Sequence, residues 1–131
     1  MTPLKYHDLG LVNTKEMFNQ ALAEGFAVPA YNFNNLEQLQ GILTGCAETQ
    51  SPVILQVSGS ARKYISPAIL PHLVKGGVDL VRALGSNIPI ALHLDHGDSF
   101  ELAKACIDSG FSSVMLDGSH HPFEENIRIT K

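Results

Sequence analysis

At 131 residues, with 44% hydrophobic and 17% charged side chains, the chain has the length and composition of one folded domain, and disorder is excluded. Nine basic residues against thirteen acidic leave a net charge of −4 with no basic run, which argues against a nucleic-acid partner. The longest apolar runs are strand-length, short of the ~20 residues of a bilayer span, and Met1–His7 lacks the charged and apolar regions of a secretory leader. Cys46 and Cys106 sit within helical patterns and read as buried, reduced thiols, so a cytoplasmic protein is expected.

In chain order, Asn13 with Glu16 three residues later has the spacing of a capping box. The helix it opens carries Met17 and Leu22 on its apolar face and ends at Gly25. A first strand is expected over Phe26–Asn32, with Pro29 tolerated near its start because proline cannot donate to a central ladder. Asn35 caps a second helix, Leu36–Thr49, whose Leu36, Leu39, Leu43 and Cys46 recur at helical spacing as one buried stripe. Val53–Ser58 is strand two, Gly59–Tyr64 a loop, and Pro67–Leu84 a long helix carrying Leu70, Leu73, Val74, Val78 and Val81. Gly85-Ser86-Asn87 turns the chain into strand three, the run Ile88–Leu92 that continues into His93-Leu94-Asp95-His96. Ser99 caps a helix over Phe100–Asp108, Ser112–Asp117 is strand four, and a last helix starting at Pro122 or Phe123 runs to Lys131.

Strict alternation of strand and helix predicts a parallel α/β sheet with right-handed crossovers. Four such units fit a small doubly wound sheet or the first half of a TIM (β/α)8 barrel. The polar residues Asn32, Ser58, Asp95 and Asp117, one at each strand's carboxyl end, favour the barrel, which builds its active site at that edge. A whole barrel needs about 250 residues, so residues 1–131 are expected to be its amino-terminal half, cut within the helix after strand four. Half a barrel leaves open sheet edges, and association is expected to cover them.

The densest chemistry lies at Asp95 and His96. Imidazole is a common zinc ligand and a neighbouring carboxylate can act as base or hold the ring, yet one His and one Asp do not complete a zinc site. By pattern alone the pair fits a polar strand end as well as a functional one. His93 projects from the same strand face as Asp95 and reads as a satisfied core histidine. Asp98 reads as a cap or turn residue. Asp117 fits a turn aspartate or a metal carboxylate, and the adjacent His120 and His121 are expected to point different ways. Ser58 with Gly59 and Ser60 offers hydroxyls and backbone N–H groups suited to an oxygen-rich ligand, with Arg62 and Lys63 beside them. Asn32 fits either a turn cap or a substrate contact. There is no Walker loop, GxGxxG, CxxC or nucleophile elbow.

Three stretches together resemble class II fructose-bisphosphate aldolase: Ala30–Asn35, Leu92–Gly97 and Val114–Asn126. The resemblance runs from about Leu11 to Lys131 and covers roughly the first half of a family member. It implies zinc-dependent cleavage of fructose 1,6-bisphosphate to dihydroxyacetone phosphate and glyceraldehyde 3-phosphate. By the same resemblance Asp95 is the acid/base at the C4 oxygen, His96 a ligand of the catalytic zinc, and Asp117 a ligand of a second divalent metal. A monovalent cation is a further expectation. Ser58 is implied to contact glyceraldehyde 3-phosphate, and Asn32 to line the substrate pocket. The other aldolase chemistry needs a lysine at a strand end; Lys63, five residues past Ser58, comes nearest among the six lysines. Because the remaining zinc ligands match positions beyond Lys131, the chain is expected to be inactive alone and to need a carboxyl-terminal half, within a homo-oligomer. Tagatose 1,6-bisphosphate is the rival substrate, and a non-catalytic, self-associating half-barrel the rival role.

Overall fold

Four strands, β1 (Ala30–Asn32), β2 (Val53–Ser58), β3 (Ile90–Gly97) and β4 (Ser113–Leu116), form one parallel sheet in the computed structural model, which describes residues 3–131. Met1 and Thr2, part of the stretch read for a leader, lie outside the described residues. The helices are α1 (Thr14–Glu24), α2 (Leu36–Glu48), α3 (Gly59–Ile65), α4 (Leu70–Ala83), α5 (Phe100–Asp108) and α6 (Phe123–Thr130), with a 3-10 turn at Tyr6–Leu9 before them. Among the described residues no helix is long and apolar enough to cross a membrane.

The strands lie in sequence order, β1-β2-β3-β4. A doubly wound sheet reverses its order at a switch point and carries helices on both faces. Here the order never reverses, and α2, α4 and α5 all pack on one face, so the architecture is the first half of a (β/α)8 barrel.

Side-chain alternation divides the sheet. Val53, Leu55 and Val57 of β2 and Ile90, Leu92 and Leu94 of β3 are buried in the main core with Leu39 and Leu43 of α2, Val74, Val78 and Val81 of α4, and Cys106 of α5. The opposite face, which a closed barrel would enclose, changes character along the strands. At the amino end Ile54 and Ala91 are buried with Met17 of α1 and Val28, so α1 plugs the bottom. One step higher, strand register aligns Asn32, Gln56, His93 and Ser113 in a polar row across all four strands, and the next step pairs Ser58 with Asp95. Apolar side chains drive the amino end together by removing their surface from water; the polar residues lie toward the carboxyl end of the strands.

Several local expectations are corrected. The chain over Phe26–Pro29 is not strand: the ladder begins after Pro29, which has no N–H to give and takes part through its carbonyl, accepting from Ile54 N at 2.9 Å. On α1 only Met17 is buried and Leu22 is 84% exposed, because the plug presents a narrow face to the sheet. Leu36, in the first turn of α2, is 48% exposed and stands outside the buried stripe of Leu39, Leu43 and Cys46. Residues 59–64 belong to a short helix and not a loop, since Ser58 Oγ accepts from Ala61 N and caps α3. The long helix begins at Leu70, three residues later than expected at Pro67. Asn13, Asn35 and Ser99 cap their helices through side-chain oxygens as expected, though Asn13 accepts from Lys15 N and forms no capping box with Glu16; both cysteines are buried free thiols.

Candidate active site at the carboxyl edge of the sheet

The end of β3 is irregular, and the irregularity creates the site. Pairing with β4 shifts register between Leu94 and Gly97, a bulge that directs side chains at a sheet rim. Within it His96 takes φ +52°, a left-handed conformation uncommon outside glycine. Gly97 follows because a Cβ there would meet the Met115 carbonyl oxygen at 2.8 Å and Leu94 Cδ2 at 2.7 Å. The twist brings the consecutive residues Asp95 and His96 to the same rim, whereas regular alternation would send them to opposite faces.

Each then has its own partner on a neighbouring strand. Asp95 Oδ2 accepts from Asn32 Nδ2 at 2.9 Å, and Asn32 Oδ1 accepts from Gln56 Nε2 at 3.0 Å. His96 Nδ1 lies 2.6 Å from Asp117 Oδ2, and the other Asp117 oxygen accepts from Ser119 N at 3.0 Å. The two pairs stay separate: His96 Nε2 and Asp95 Oδ1 are 3.7 Å apart, too far for a hydrogen bond. The His96 side chain is 62% exposed while Asp95 and Asp117 keep only 18% and 21%, so the ring is presented and the carboxylates are packed around it.

Protonation follows these contacts. The hydrogen bond to Asp117, with the charge of Asp95 adding to it, raises the His96 pKa above the ordinary 6.5. The same bond, with help from Ser119, holds Asp117 well below the usual carboxylate range. His93 donates to or accepts from Ser113 Oγ at 2.8 Å, and burial pushes its pKa down, so it is the satisfied interior histidine expected.

The residues singled out in sequence therefore divide. Asn32, Asp95, His96 and Asp117 converge; Asn32 caps nothing, and its place in the turn falls to Asn35. Ser58 pairs in register with Asp95, but its hydroxyl is already engaged as the α3 cap and by Ser60 Oγ at 3.0 Å. Asp98 accepts from Ser99 Oγ at 2.9 Å, a turn role. His120 and His121 do not point apart: their rings pack at 4.2 Å, tilted by 38°, because the chain there is a turn and not a strand. Gln56 was not singled out, although its position two residues before Ser58 places it on the same strand face.

Zinc binding by these residues can be tested on the donors. His96 Nε2 makes no hydrogen bond, while Nδ1 is held by a carboxylate, the arrangement by which proteins orient a metal-bound imidazole. That suits one ligand. Among the described residues no group of three or more His, Cys, Asp and Glu side chains is poised to hold a metal, so this chain does not complete the coordination sphere.

The family model for class II fructose-bisphosphate aldolase matches residues 12–131, nearly the whole chain. The chain belongs to this family. A fructose-bisphosphate aldolase of Treponema pallidum is 58% identical over 126 residues, and one of Geobacillus stearothermophilus 51% over 123. The alignments cover 96% and 93% of this chain but 38% and 42% of those aldolases, so the chain spans about two-fifths of their length. Among solved structures, an aldolase from Escherichia coli K12 superposes with a TM-score of 0.78 at 30% identity, over 92% of this chain and 44% of that one. A fructose-bisphosphate aldolase from Campylobacter jejuni gives 0.65 at 28% identity, over 90% and 41%. The matched residues 12–131 include Asn32, Asp95, His96 and Asp117 of the rim.

Proposed function

We propose that this chain is the amino-terminal half of a zinc-dependent class II aldolase barrel, acting in the cytoplasm on fructose 1,6-bisphosphate. The observation that carries the reading is the separation of roles at the end of β3: Asp95 is tied to Asn32, and His96 to Asp117. A carboxylate free to move a proton beside an imidazole oriented for a metal is the pair that aldol cleavage requires.

Cleavage breaks the C3–C4 bond of the sugar and needs a base at the C4 hydroxyl. Asp95 fits that role. Its Oδ2 is occupied by Asn32, which leaves Oδ1 to take the C4 hydroxyl proton in cleavage and return it in condensation. A zinc ion held through His96 Nε2 and ligands from the rest of the barrel supplies, when bound, Lewis-acid stabilisation of the charge left on the ketone half. Asp117 keeps the His96 ring turned toward the rim and would be the residue to hold a second cation. Ser58 is given the contact to the aldehyde half of the substrate, a role supported by its register with Asp95 on β2.

The test joins residues 1–131 to the remaining carboxyl-terminal part of the Treponema pallidum relative, with zinc added, and follows cleavage of fructose 1,6-bisphosphate. Cleavage lost on chelation and restored by zinc is expected, with the unjoined chain inactive. A folded, zinc-loaded fusion without cleavage, or metal-independent cleavage by the chain alone, overturns the proposal. The ratio of rates on fructose and tagatose bisphosphates in the same fusion identifies the preferred sugar.

A further inference from the structure

Of the four side chains in the polar row, His93 and Ser113 bond each other, Asn32 holds Asp95, and Gln56 is left without a task in the proposed reaction. It lies on the enclosed face of β2, level with Asn32 on one side and His93 on the other. We infer that Gln56 is a positioning residue for Asp95, acting through Asn32.

An ionised carboxylate can only accept hydrogen bonds. Asp95 Oδ2 must therefore face the amide nitrogen of Asn32, as it does at 2.9 Å. That choice turns Asn32 Oδ1 the other way, toward β2, where it needs a donor. Gln56 Nε2 meets it at 3.0 Å. The three side chains thus form a one-way chain of donors, Gln56 to Asn32 to Asp95, in which each bond polarises the next. Without the Gln56 donor the Asn32 amide can turn over, and its oxygen would then confront the carboxylate. The Asp95 carboxylate would lose the bond that fixes which oxygen faces the substrate. β1 is a three-residue edge strand with all its side chains exposed, so packing alone does not hold Asn32 in place.

This inference rests on the proposed role of Asp95, and its test has one arm that does not. In the unjoined chain, the side-chain amide of Asn32 is followed by NMR. Two well-separated, slowly exchanging Nδ2 protons are expected, and in Gln56→Leu they are expected to draw together and exchange faster. In the zinc-loaded fusion, Gln56→Leu and the near-isosteric Gln56→Glu are expected to lower kcat about tenfold, roughly the net worth of one hydrogen bond. KM should stay within about twofold and the zinc stoichiometry should be unchanged. Adding Gln56→Leu to Asn32→Ala is expected to cost nothing further, since the relay is already cut. An unchanged Asn32 amide in Gln56→Leu overturns the inference, and so do multiplying effects in the double variant. A fusion inactive even with Gln56 in place counts against the aldolase reading alone, and the amide signal then decides the Gln56 contact by itself.

Discussion

Replacing Gly97 with alanine tests whether the geometry of the site depends on a close approach of two strands. An added Cβ would lie 2.8 Å from the Met115 carbonyl oxygen and 2.7 Å from Leu94 Cδ2. The leucine methyl can swing aside, but the carbonyl belongs to the backbone of β4. That strand would have to retreat by several tenths of an ångström at the point where Asp117 N donates to Gly97 O at 2.8 Å. Overpacking of this kind costs about 1–3 kcal/mol, and the retreat pulls Asp117 from His96. Urea denaturation of Gly97→Ala should show the loss, and the His96 imidazole signals should move with it. Gly76→Ala is the control. Gly76 is exposed in α4 with nothing within 4 Å of an added Cβ, so alanine there should stabilise by about 0.5–1 kcal/mol through helix propensity. If the two variants unfold at the same urea concentration, or Gly97→Ala leaves His96 undisturbed, close approach is not what holds the rim.

Asp117→Asn should return the His96 pKa toward 6.5, because the hydrogen bond that raises it loses its charge; an NMR titration of the ring checks this. The linkage has a definite sign. Raised His96 contributes stability below about pH 6.5 that fades as pH climbs through its folded value, and depressed Asp117 contributes stability above its ordinary 3.8 that is lost in acid. The pair therefore stabilises most between those limits, and a stability profile of Asp117→Asn parallel to that of the parent across the window would refute the coupling. In the completed enzyme Asp95→Ala should cut turnover about 10²–10⁴-fold with zinc content near normal, whereas His96→Ala should empty the zinc site, as metal analysis would reveal. Ser58→Ala should cost about 1 kcal/mol in thermal or urea unfolding through loss of the α3 cap. A change in KM without that cost would mean the hydroxyl serves the substrate alone.

What the chain order of residues determined by itself was the set of elements and their alternation. β2 and α5 have the predicted boundaries, because a run such as Val53–Ser58 and a cap such as Ser99 carry their signals locally. The polar strand ends Asn32, Asp95 and Asp117 were legible for the same reason, and so was the family. Errors fell where local signals conflict with packing. Leu22 and Leu36 have the right type and spacing for burial, but only contact with the sheet decides which turns of a helix are covered. Gly59–Tyr64 reads as loop until Ser58 caps it as a helix.

The partnerships within the site needed the tertiary structure. Asn32 and Asp95 are 63 positions apart, His96 and Asp117 are 21 apart, and no spacing rule connects either pair. Strand register joins them, and register is set by which apolar residues of neighbouring strands share the core face. Gln56 shows the difference most plainly: alone in an apolar strand it carries no motif, and it gains a task only when β1 lies beside β2 with Asn32 opposite. The His96 turn is the other case. Sequence places it next to Asp95, but a left-handed φ and a bulge, permitted by the missing Cβ of Gly97, put both on one rim, because a regular strand would have sent them to opposite faces.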